Sequence, residues 1–385
     1  MTDGENKRAG PPKIEIRRGI PPDQGASQSP LEEKKKSRQV FLSKRKRRIP
    51  PWLIAGLVFT LIMAGLFFVV PQISEKTFDF DVTPPAQETL PPGWDQYLHA
   101  RDTAVVSASA APVFSLPDVA SLRVTEALLN EHVTMLDTRD RAFIRVRLDD
   151  GVEGYIRRSH LSADTWSISP EGSVARVMVR VPFKRVMSHA RSGSLLVEAP
   201  MGTILYADYR NGDLLRVKLP DLKTGWINTS GVMLVPPLSA LVPEENVQQL
   251  LAATMMTFYN SPVIPGGVTA RGISPEGAIH VAGLLNGLNL SRDRGTLFGE
   301  GLPVELAKTE EGEPDLKSME EGDVVFFHSK SDPDSLVTVG MRVADDQLLI
   351  GLPGRSTLRL LDIESSGARE LVKRIKGVRR YAPES

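Results

Sequence analysis

GYIRRSHL (residues 154–161) and GWINTSGV (residues 225–232) share one pattern, in which a glycine, an aromatic residue and an isoleucine precede a polar turn. Each ends a series of short runs in which apolar and polar residues alternate, which is typical of half-buried β-strands. DDG at residues 149–151 and NG at residues 211–212 indicate tight turns between these runs. The two segments therefore predict an internal repeat of small antiparallel β units.

The repeat divides this part of the chain into two predicted domains, residues 101–165 and 166–238. Their closing G-[YW]-[IV] elements and preceding strands resemble the bacterial SH3-like domain common in cell-wall proteins. The resemblance implies two small β-barrels, which in that family often bind peptidoglycan peptides and sometimes act only as spacers. Tyr155, Trp166 and Trp226 are candidates to line a binding groove. Alternatively, Tyr155 and Trp226 close the barrel cores, because an aromatic ring buries a large apolar area.

Residues 239–385 have a different pattern of apolar and polar residues, with predicted helices as well as strands. EENVQQLLAATMMTFYNSP carries apolar residues at helical spacing, and AIHVAGLLNGL is a second helix candidate. MEEGDVVFFHS predicts a turn followed by a strand, and LVTVGMRV, QLLIGL and GVRRYAP predict further strands.

The order of these elements resembles the NlpC-type family of papain-like cell-wall cysteine peptidases, across nearly all of residues 243–383. PVIPGG loosely follows that family's P-Y-x-W-G-G motif, residues 319–327 follow L-x-P-G-D-L-x-F-F, and residues 338–343 fall where H-V-G-I-Y-L lies. The resemblance implies a papain-like fold with a groove for cell-wall peptides. It makes Gly266 and Gly267 candidates for the wall of that groove.

Peptidases of that family need a thiolate at a helix N-terminus, a histidine base and a third polar group. The resemblance places the nucleophile on Val281 and the preceding aspartate on His280, with the register open by one residue. It places the histidine on Thr338 and the third polar group near Gly351. The chain contains no cysteine, valine cannot ionise, threonine is no base near neutral pH, and glycine has no side chain. We therefore predict a degenerate domain that is not an enzyme.

His280 is a candidate ligand-binding residue, or a residue that only fills a remodelled cleft. The sequence has no H-x-x-x-H or H-E-x-x-H spacing for zinc, no G-x-S-x-G elbow, and no Lys-Ser/Thr after its glycine-rich stretch. We therefore predict no metal site and no cofactor. The absence of cysteine also excludes disulfides and thiolate metal sites.

WLIAGLVFTLIMAGLFFVV (residues 52–70) is free of charge, and as a helix it would span about 28 Å, close to the thickness of a bilayer core. KRKRR, from Lys44 to Arg48, precedes it, so the N-terminus is predicted to be cytoplasmic and to lie near anionic lipid headgroups. We predict a disordered basic tail over residues 1–50, a transmembrane signal anchor over 51–71 and a Pro-rich linker over 72–100. The later domains would then lie in the periplasm or outside the cell, on a single-pass protein of the bacterial inner membrane.

The formal net charge of zero hides an asymmetry. Residues 1–51 hold 14 Lys and Arg against 6 Asp and Glu, so the rest of the chain is mildly acidic. An acidic outer part gives no electrostatic reason to expect a nucleic-acid partner.

Together these patterns predict a membrane-anchored multidomain protein with one transmembrane helix, two SH3-like β-barrels and an α+β papain-like domain of the NlpC type. The first functional hypothesis is a non-catalytic envelope protein that binds peptidoglycan stem peptide, or an envelope partner, through the barrels and the pseudo-peptidase cleft. The alternative is a structural scaffold subunit of an envelope complex that binds no glycan. A third hypothesis is an active hydrolase with a non-cysteine mechanism.

Overall fold

The computed structural model of this chain describes residues 102–381. The predicted basic tail, transmembrane segment and Pro-rich linker lie outside these residues. Within residues 102–381, none of the helices has both the length and the apolar character that crossing a bilayer requires.

The first β-domain is a seven-stranded antiparallel sheet with the strand order β3-β2-β6-β5-β4-β1-β7. Its strands follow the alternation seen in the sequence: in FIRVRL, for example, the first, second, fourth and sixth residues are buried. The inward side chains form a core of their own around Val113, Ile144 and Ile156. The strands are β1 (Thr103–Val106), β2 (Ala110–Phe114), β3 (Arg123–Leu128), β4 (His132–Asp137), β5 (Phe143–Leu148), β6 (Glu153–Arg157) and β7 (Leu161–Ser162).

The second β-domain is also a seven-stranded antiparallel sheet, with the order β10-β9-β13-β12-β11-β8-β14. This is the order of the first sheet with every strand advanced by seven, and the core around Val177, Leu205 and Ile227 is again separate. The predicted turn at Asn211-Gly212 is confirmed, with Gly212 at φ 57°. The strands are β8 (Ala175–Val179), β9 (Phe183–Met187), β10 (Leu195–Pro200), β11 (Ile204–Asn211), β12 (Leu214–Leu219), β13 (Lys223–Asn228) and β14 (Val232–Val235).

The glycine of the repeated pattern, and not the aromatic residue, faces the core. A Cβ on Gly154 would lie 2.7 Å from the carbonyl oxygen of Phe114, and one on Gly225 would lie 2.3 Å from a methyl group of Val186. Side chains alternate along a strand, so the next residue turns outward. Tyr155 and Trp226 are accordingly only half-buried. The alternative in which these two rings close the cores is therefore wrong.

The C-terminal domain places two helices against an antiparallel sheet of order β17-β22-β18-β19-β20-β21. One face of this sheet, with Phe326, Val339 and Met341, packs in the same core as the two helices, and the other, with Val325 and Phe327, packs in a second core. The helices are α1 (Val247–Met256) and α2 (Pro275–Leu285), and the strands are β17 (Leu302–Val304), β18 (Val324–His328), β19 (Leu336–Ala344), β20 (Gln347–Ile350), β21 (Arg359–Asp362) and β22 (Ile375–Arg380).

Several short elements of this domain have no counterpart in the sequence-based prediction. They include the two-stranded ribbon β15 (Val268–Thr269) and β16 (Gly272–Ile273), and the helices α3 (Arg294–Gly299) and α4 (Ser366–Val372). Each helix is preceded by a capping side chain, Asp293 or Ser365, that accepts a hydrogen bond from a backbone N–H of the first turn. Six or seven residues are too few for a recognisable apolar period, so the caps were the available signal.

Candidate functional site

The N-terminus of α2 is fixed by Ser274 and Pro275. The Ser274 hydroxyl accepts a hydrogen bond from the Gly277 N–H at 3.0 Å, and Pro275 occupies the first helical position, where its missing N–H costs nothing. A papain-like peptidase holds its nucleophile at such a helix N-terminus, where the helix dipole favours a thiolate.

Thr338 and Gly351 lie together at this helix end. The Thr338 hydroxyl donates a hydrogen bond to the Gly351 carbonyl oxygen at 2.6 Å. Gly351 in turn packs on Pro275 so closely that a Cβ there would lie 2.6 Å from the proline Cγ. All three residues are buried. The structure therefore joins the two positions that the resemblance assigned to the histidine and the third polar group, and the residue beside them is Pro275.

Val281 does not occupy this place. It is the seventh residue of α2, about 9 Å along the helix axis from Pro275, and its methyl group approaches the turn at Gly202 in the second β-domain. The nucleophile position was assigned by anchoring on Gly283 and Leu284, whereas the Ser274 cap sets the start of the helix. Pro275, and not Val281, is therefore the residue of α2 that lies beside Gly351 and Thr338.

The three polar side chains nearest to Pro275 each make a hydrogen bond within the protein, although Glu276 Oε2 has no partner among residues 102–381. The Ser274 hydroxyl caps the helix, and the Thr338 hydroxyl is bonded to a carbonyl. The Glu276 carboxylate, largely buried, accepts a hydrogen bond from Arg294 at 3.0 Å. Within residues 102–381, no cluster of three or more His, Cys, Asp or Glu side chains is arranged to hold a metal ion. The side chains nearest to Pro275 at this helix end are thus Ser274, Glu276 and Thr338, each with a protein hydrogen-bond partner.

Gly266 and Gly267, proposed above for a groove wall, serve close packing. A Cβ on Gly266, which has φ 66°, would lie 2.5 Å from the Val124 carbonyl oxygen of the first β-domain. A Cβ on Gly267 would lie 2.1 Å from the Gly272 carbonyl oxygen. The Arg123 guanidinium completes the contact by donating to the Pro265 carbonyl oxygen at 2.8 Å. These glycines seat the PVIPGG turn on the first β-domain.

His280 lies one helical turn and a half from Pro275 and lines a different space, a cavity of about 430 Å³. The cavity is bordered by turns of both β-domains and by the second half of α2. The His280 side chain is 1% exposed, and its Nδ1 lies 2.6 Å from the Leu290 carbonyl oxygen. Burial, and then the positive charge of Arg292, lowers the pKa of His280 to about 3. His280 is therefore neutral near pH 7 and is no part of the helix-end site.

The aromatic candidates lie apart from both places. Trp226 packs edge to face on Tyr209, with ring centroids 6.0 Å apart, and both rings line a shallow groove of the second β-domain that also contains His189 and Arg191. The buried ammonium group of Lys218 lies 5.0 Å from the Trp166 ring centroid, which ties Trp166 into its own domain. Tyr155 occupies in the first sheet the position that Trp226 occupies in the second.

Arg292 is a central residue that sequence reasoning missed. Its buried guanidinium donates to Asp150 at 2.8 Å and to Glu131 at 2.6 Å, and it also contacts the Glu126 carbonyl oxygen at 2.8 Å. Burial alone would raise the pKa of Asp150, but the charge and hydrogen bonds of Arg292, together with the interaction with His280, outweigh burial and lower that pKa. The DDG motif at residues 149–151 indicated a turn, but it does not predict an ion pair between Asp150 and Arg292, 142 positions away.

Comparison with known proteins supports this architecture. Residues 113–161 match a family profile described as "Bacterial dipeptidyl-peptidase Sh3 domain". A protein named dipeptidyl-peptidase 6, from Lysinibacillus sphaericus, is 24% identical over 230 residues, which is 58% of this chain and 81% of that protein.

Solved structures show the same fold. An NlpC/P60 family protein from Bacillus cereus superposes with a TM-score of 0.62 at 18% identity, covering 73% of this chain and all of that one. An NlpC/P60 endopeptidase from Photobacterium damselae subsp. piscicida gives a TM-score of 0.51 at 12% identity, covering 72% and 70% of the two chains. Residues 102–381 therefore form a β-rich, NlpC/P60-like fold that carries a bacterial SH3 domain.

Proposed function

We propose that this protein is a non-catalytic, peptidoglycan-binding component of the bacterial cell envelope, with a second SH3-like barrel in its second β-domain. The NlpC/P60-like fold and the bacterial SH3 domain support a role at the cell wall. The identical strand order of the two sheets supports a duplicated barrel. In this proposal residues 52–70 anchor the protein in the inner membrane and the described domains face the wall.

One observation carries the non-catalytic part of the proposal. The helix end that would need a nucleophile holds Pro275, packed against Gly351, while the Thr338 hydroxyl is bonded to the Gly351 carbonyl oxygen. Proline offers neither a nucleophile nor a proton, and a buried hydroxyl without a base nearby is not activated. All three residues are also buried.

The groove of the second β-domain is our candidate for the wall-binding surface. Trp226 and Tyr209 supply aromatic faces, and Tyr209 remains 45% exposed. Arg191 and His189 at the same groove supply donors for the carboxylates of a stem peptide. Rigid aromatic rings beside a cation are the residue types that dominate binding energy at protein surfaces.

A scaffold role is the second candidate, and the first β-domain favours it. Leu116, Val119 and Leu122, in the turn between β2 and β3, are 59%, 48% and 69% exposed. Three large apolar side chains in one exposed turn are suited to a protein partner.

Co-sedimentation of the full chain in detergent with purified sacculi tests the proposal, with the supernatant analysed for released muropeptides. We expect binding without release. Trp226→Ala should weaken binding by about tenfold, the effect typical of a central aromatic residue. Tyr259→Ala, which removes an exposed ring outside the groove, is the matched control.

The other outcomes separate the alternatives. Release of muropeptides would contradict the non-catalytic assignment. An absence of binding, together with capture of an envelope protein that depends on Leu116 and Leu122, would favour the scaffold.

A further inference from the structure

The cavity beside His280 is built from three parts of the fold. The turn between β3 and β4 contributes Asn130 and Glu131, the second β-domain contributes Thr203 and Ile204, and α2 contributes His280. Asp149, whose side chain is 62% exposed, lies at its border with solvent. The cavity thus has an opening, and a volume of about 430 Å³ is in the range of small-molecule sites.

Three buried side chains of this cavity have polar atoms without a partner among residues 102–381: His280 Nε2, Asn130 Oδ1 and Thr203 Oγ1. These residues are 1%, 4% and 1% exposed. A buried polar atom without a hydrogen bond costs about 1–3 kcal/mol, and most such atoms in folded proteins are satisfied. Three such atoms in one cavity therefore indicate that a bound molecule forms their missing hydrogen bonds.

The hydrogen bonds made by the remaining polar atoms of His280 and Asn130 show whether a bound molecule must donate or accept hydrogen bonds. His280 Nδ1 faces a carbonyl oxygen, which can only accept, so the proton is on Nδ1 and Nε2 is an acceptor. The Asn130 amide nitrogen donates to the Ile204 carbonyl oxygen at 3.0 Å, so the free Oδ1 is also an acceptor. The occupant must bring hydrogen-bond donors.

The charged and apolar residues that line the cavity narrow the class of ligand further. Its ionised lining groups are the carboxylates of Glu131, Asp149 and Asp150 and the guanidinium groups of Arg176 and Arg292, which leaves a net negative charge. Arg176 Nε, which has no hydrogen-bond partner in the described part of the chain, is a donor and suits a hydroxyl on the occupant. The apolar lining residues include Leu128, Met178, Ile204, Leu284 and Leu288.

We propose that this cavity is a binding site for a small aliphatic primary amine. The ammonium group supplies donors to His280 Nε2 and Asn130 Oδ1, its charge balances the surplus carboxylate, and its hydrocarbon part packs on the apolar wall. The site lies beyond the middle of α2, away from Pro275, so this inference goes beyond the proposed function and does not depend on it.

Calorimetric titration of the full chain with leucinol tests the proposal, with isohexanol, which lacks only the amino group, as the matched probe. We expect leucinol to bind at least about tenfold more tightly than isohexanol, since the amine supplies the required donors. Binding should also shift the ring ¹⁵N resonance of the His280 Nε2. Equal affinities, no binding of either probe, or binding without the His280 shift would overturn the proposal and leave a cavity that holds water only.

A filling variant locates the site. Leu284→Trp places a large ring in the cavity and should weaken leucinol binding at least about tenfold. Leu306→Trp alters a half-buried leucine outside the cavity and should leave the affinity unchanged. If Leu284→Trp does not fold, Thr203→Val removes one lining hydroxyl and should weaken binding measurably. Unchanged leucinol affinity in a folded Leu284→Trp or in Thr203→Val would place the amine elsewhere and overturn the assignment.

Discussion

The two halves of α2 are opposites. Around its buried first turn, the side chains of Ser274, Thr338 and Glu276 each have a protein partner, and Glu276 Oε2 is the atom of these three without one among residues 102–381. Its later turns border a cavity in which buried polar atoms, including His280 Nε2, have no such partners among the described residues 102–381. Within residues 102–381, the two ends of this one helix thus differ in how fully the buried polar atoms around them are hydrogen-bonded. Likeness of fold locates the first place and says nothing of the second.

The largest expected effect lies at the cavity end, in the ion pairs of Arg292. Arg292→Met removes the cation and leaves the carboxylates of Asp150 and Glu131 buried without compensation. We expect a loss of about 3–5 kcal/mol in the free energy of unfolding, measured by urea denaturation. Arg145→Met, which breaks an exposed pair with Glu153, is the control and should cost under about 1 kcal/mol. Equal small losses would show that the Arg292 pairs are not decisive.

At the other end of α2, substitutions at Gly351 and Pro275 test the contact between these two residues. Gly351→Ala places a methyl group against the proline ring, and we expect a loss of about 1–3 kcal/mol in unfolding free energy. Pro275→Ala should relieve part of this loss in the double variant, since the two residues are in contact. Additive effects in the double-mutant cycle would contradict the close packing of this site.

Protonation of His280, in the second half of α2, makes the free energy of unfolding depend on pH. Its pKa is about 3 in the folded protein and is raised to its ordinary value near 6.5 on unfolding. Below about pH 6.5 the unfolded chain binds a proton that the folded chain does not, so stability falls as pH decreases from 6.5 toward 3, by up to about 1.4 kcal/mol per pH unit.

His280→Phe should flatten the pH dependence of unfolding between about pH 6.5 and 4.5, a window above the carboxylate range. Some slope should remain because burial also lowers the pKa of His160. A slope unchanged by the substitution would show that His280 is accessible to protons in the folded state.

The smallest effect is a contrast between two buried threonines. Thr338→Val deletes a hydroxyl that donates to a carbonyl at 2.6 Å, and we expect a loss of about 1 kcal/mol in unfolding free energy. Thr203→Val deletes a hydroxyl without a partner among residues 102–381, so the loss should be near zero or the variant slightly more stable. The reverse order would contradict the contrast between the two halves of α2.

The sequence was most informative where one local pattern decides the structure. The turn at Asn211-Gly212, the helix over EENVQQLLAATMMTF and the strand in MEEGDVVFFHS all follow from spacing and turn chemistry. The sequence left open whether Tyr155 and Trp226 face a groove or the core, because the close approach of Gly154 and Gly225 to neighbouring strands is a tertiary fact.

The sites were less predictable because they depend on contacts between distant segments. Thr338 and Gly351 lie together, as the family resemblance implied. The sequence analysis missed the start of α2 at Pro275, although serine followed by proline is a typical helix cap and first-turn residue. The cavity joins residues near positions 130, 203 and 280, and no local pattern links those three segments.

The Arg292 contacts also have a mechanical consequence. They join the C-terminal domain directly to the first β-domain across 142 positions of chain, so the second β-domain lies inside a closed loop. Tension applied between residues 102 and 381 would therefore pass through the Arg292 contacts, together with the Arg123–Pro265 contact between the same two domains, and would bypass the second β-domain. We expect that domain to stay unloaded until this link ruptures, which would preserve its groove while the protein is under strain.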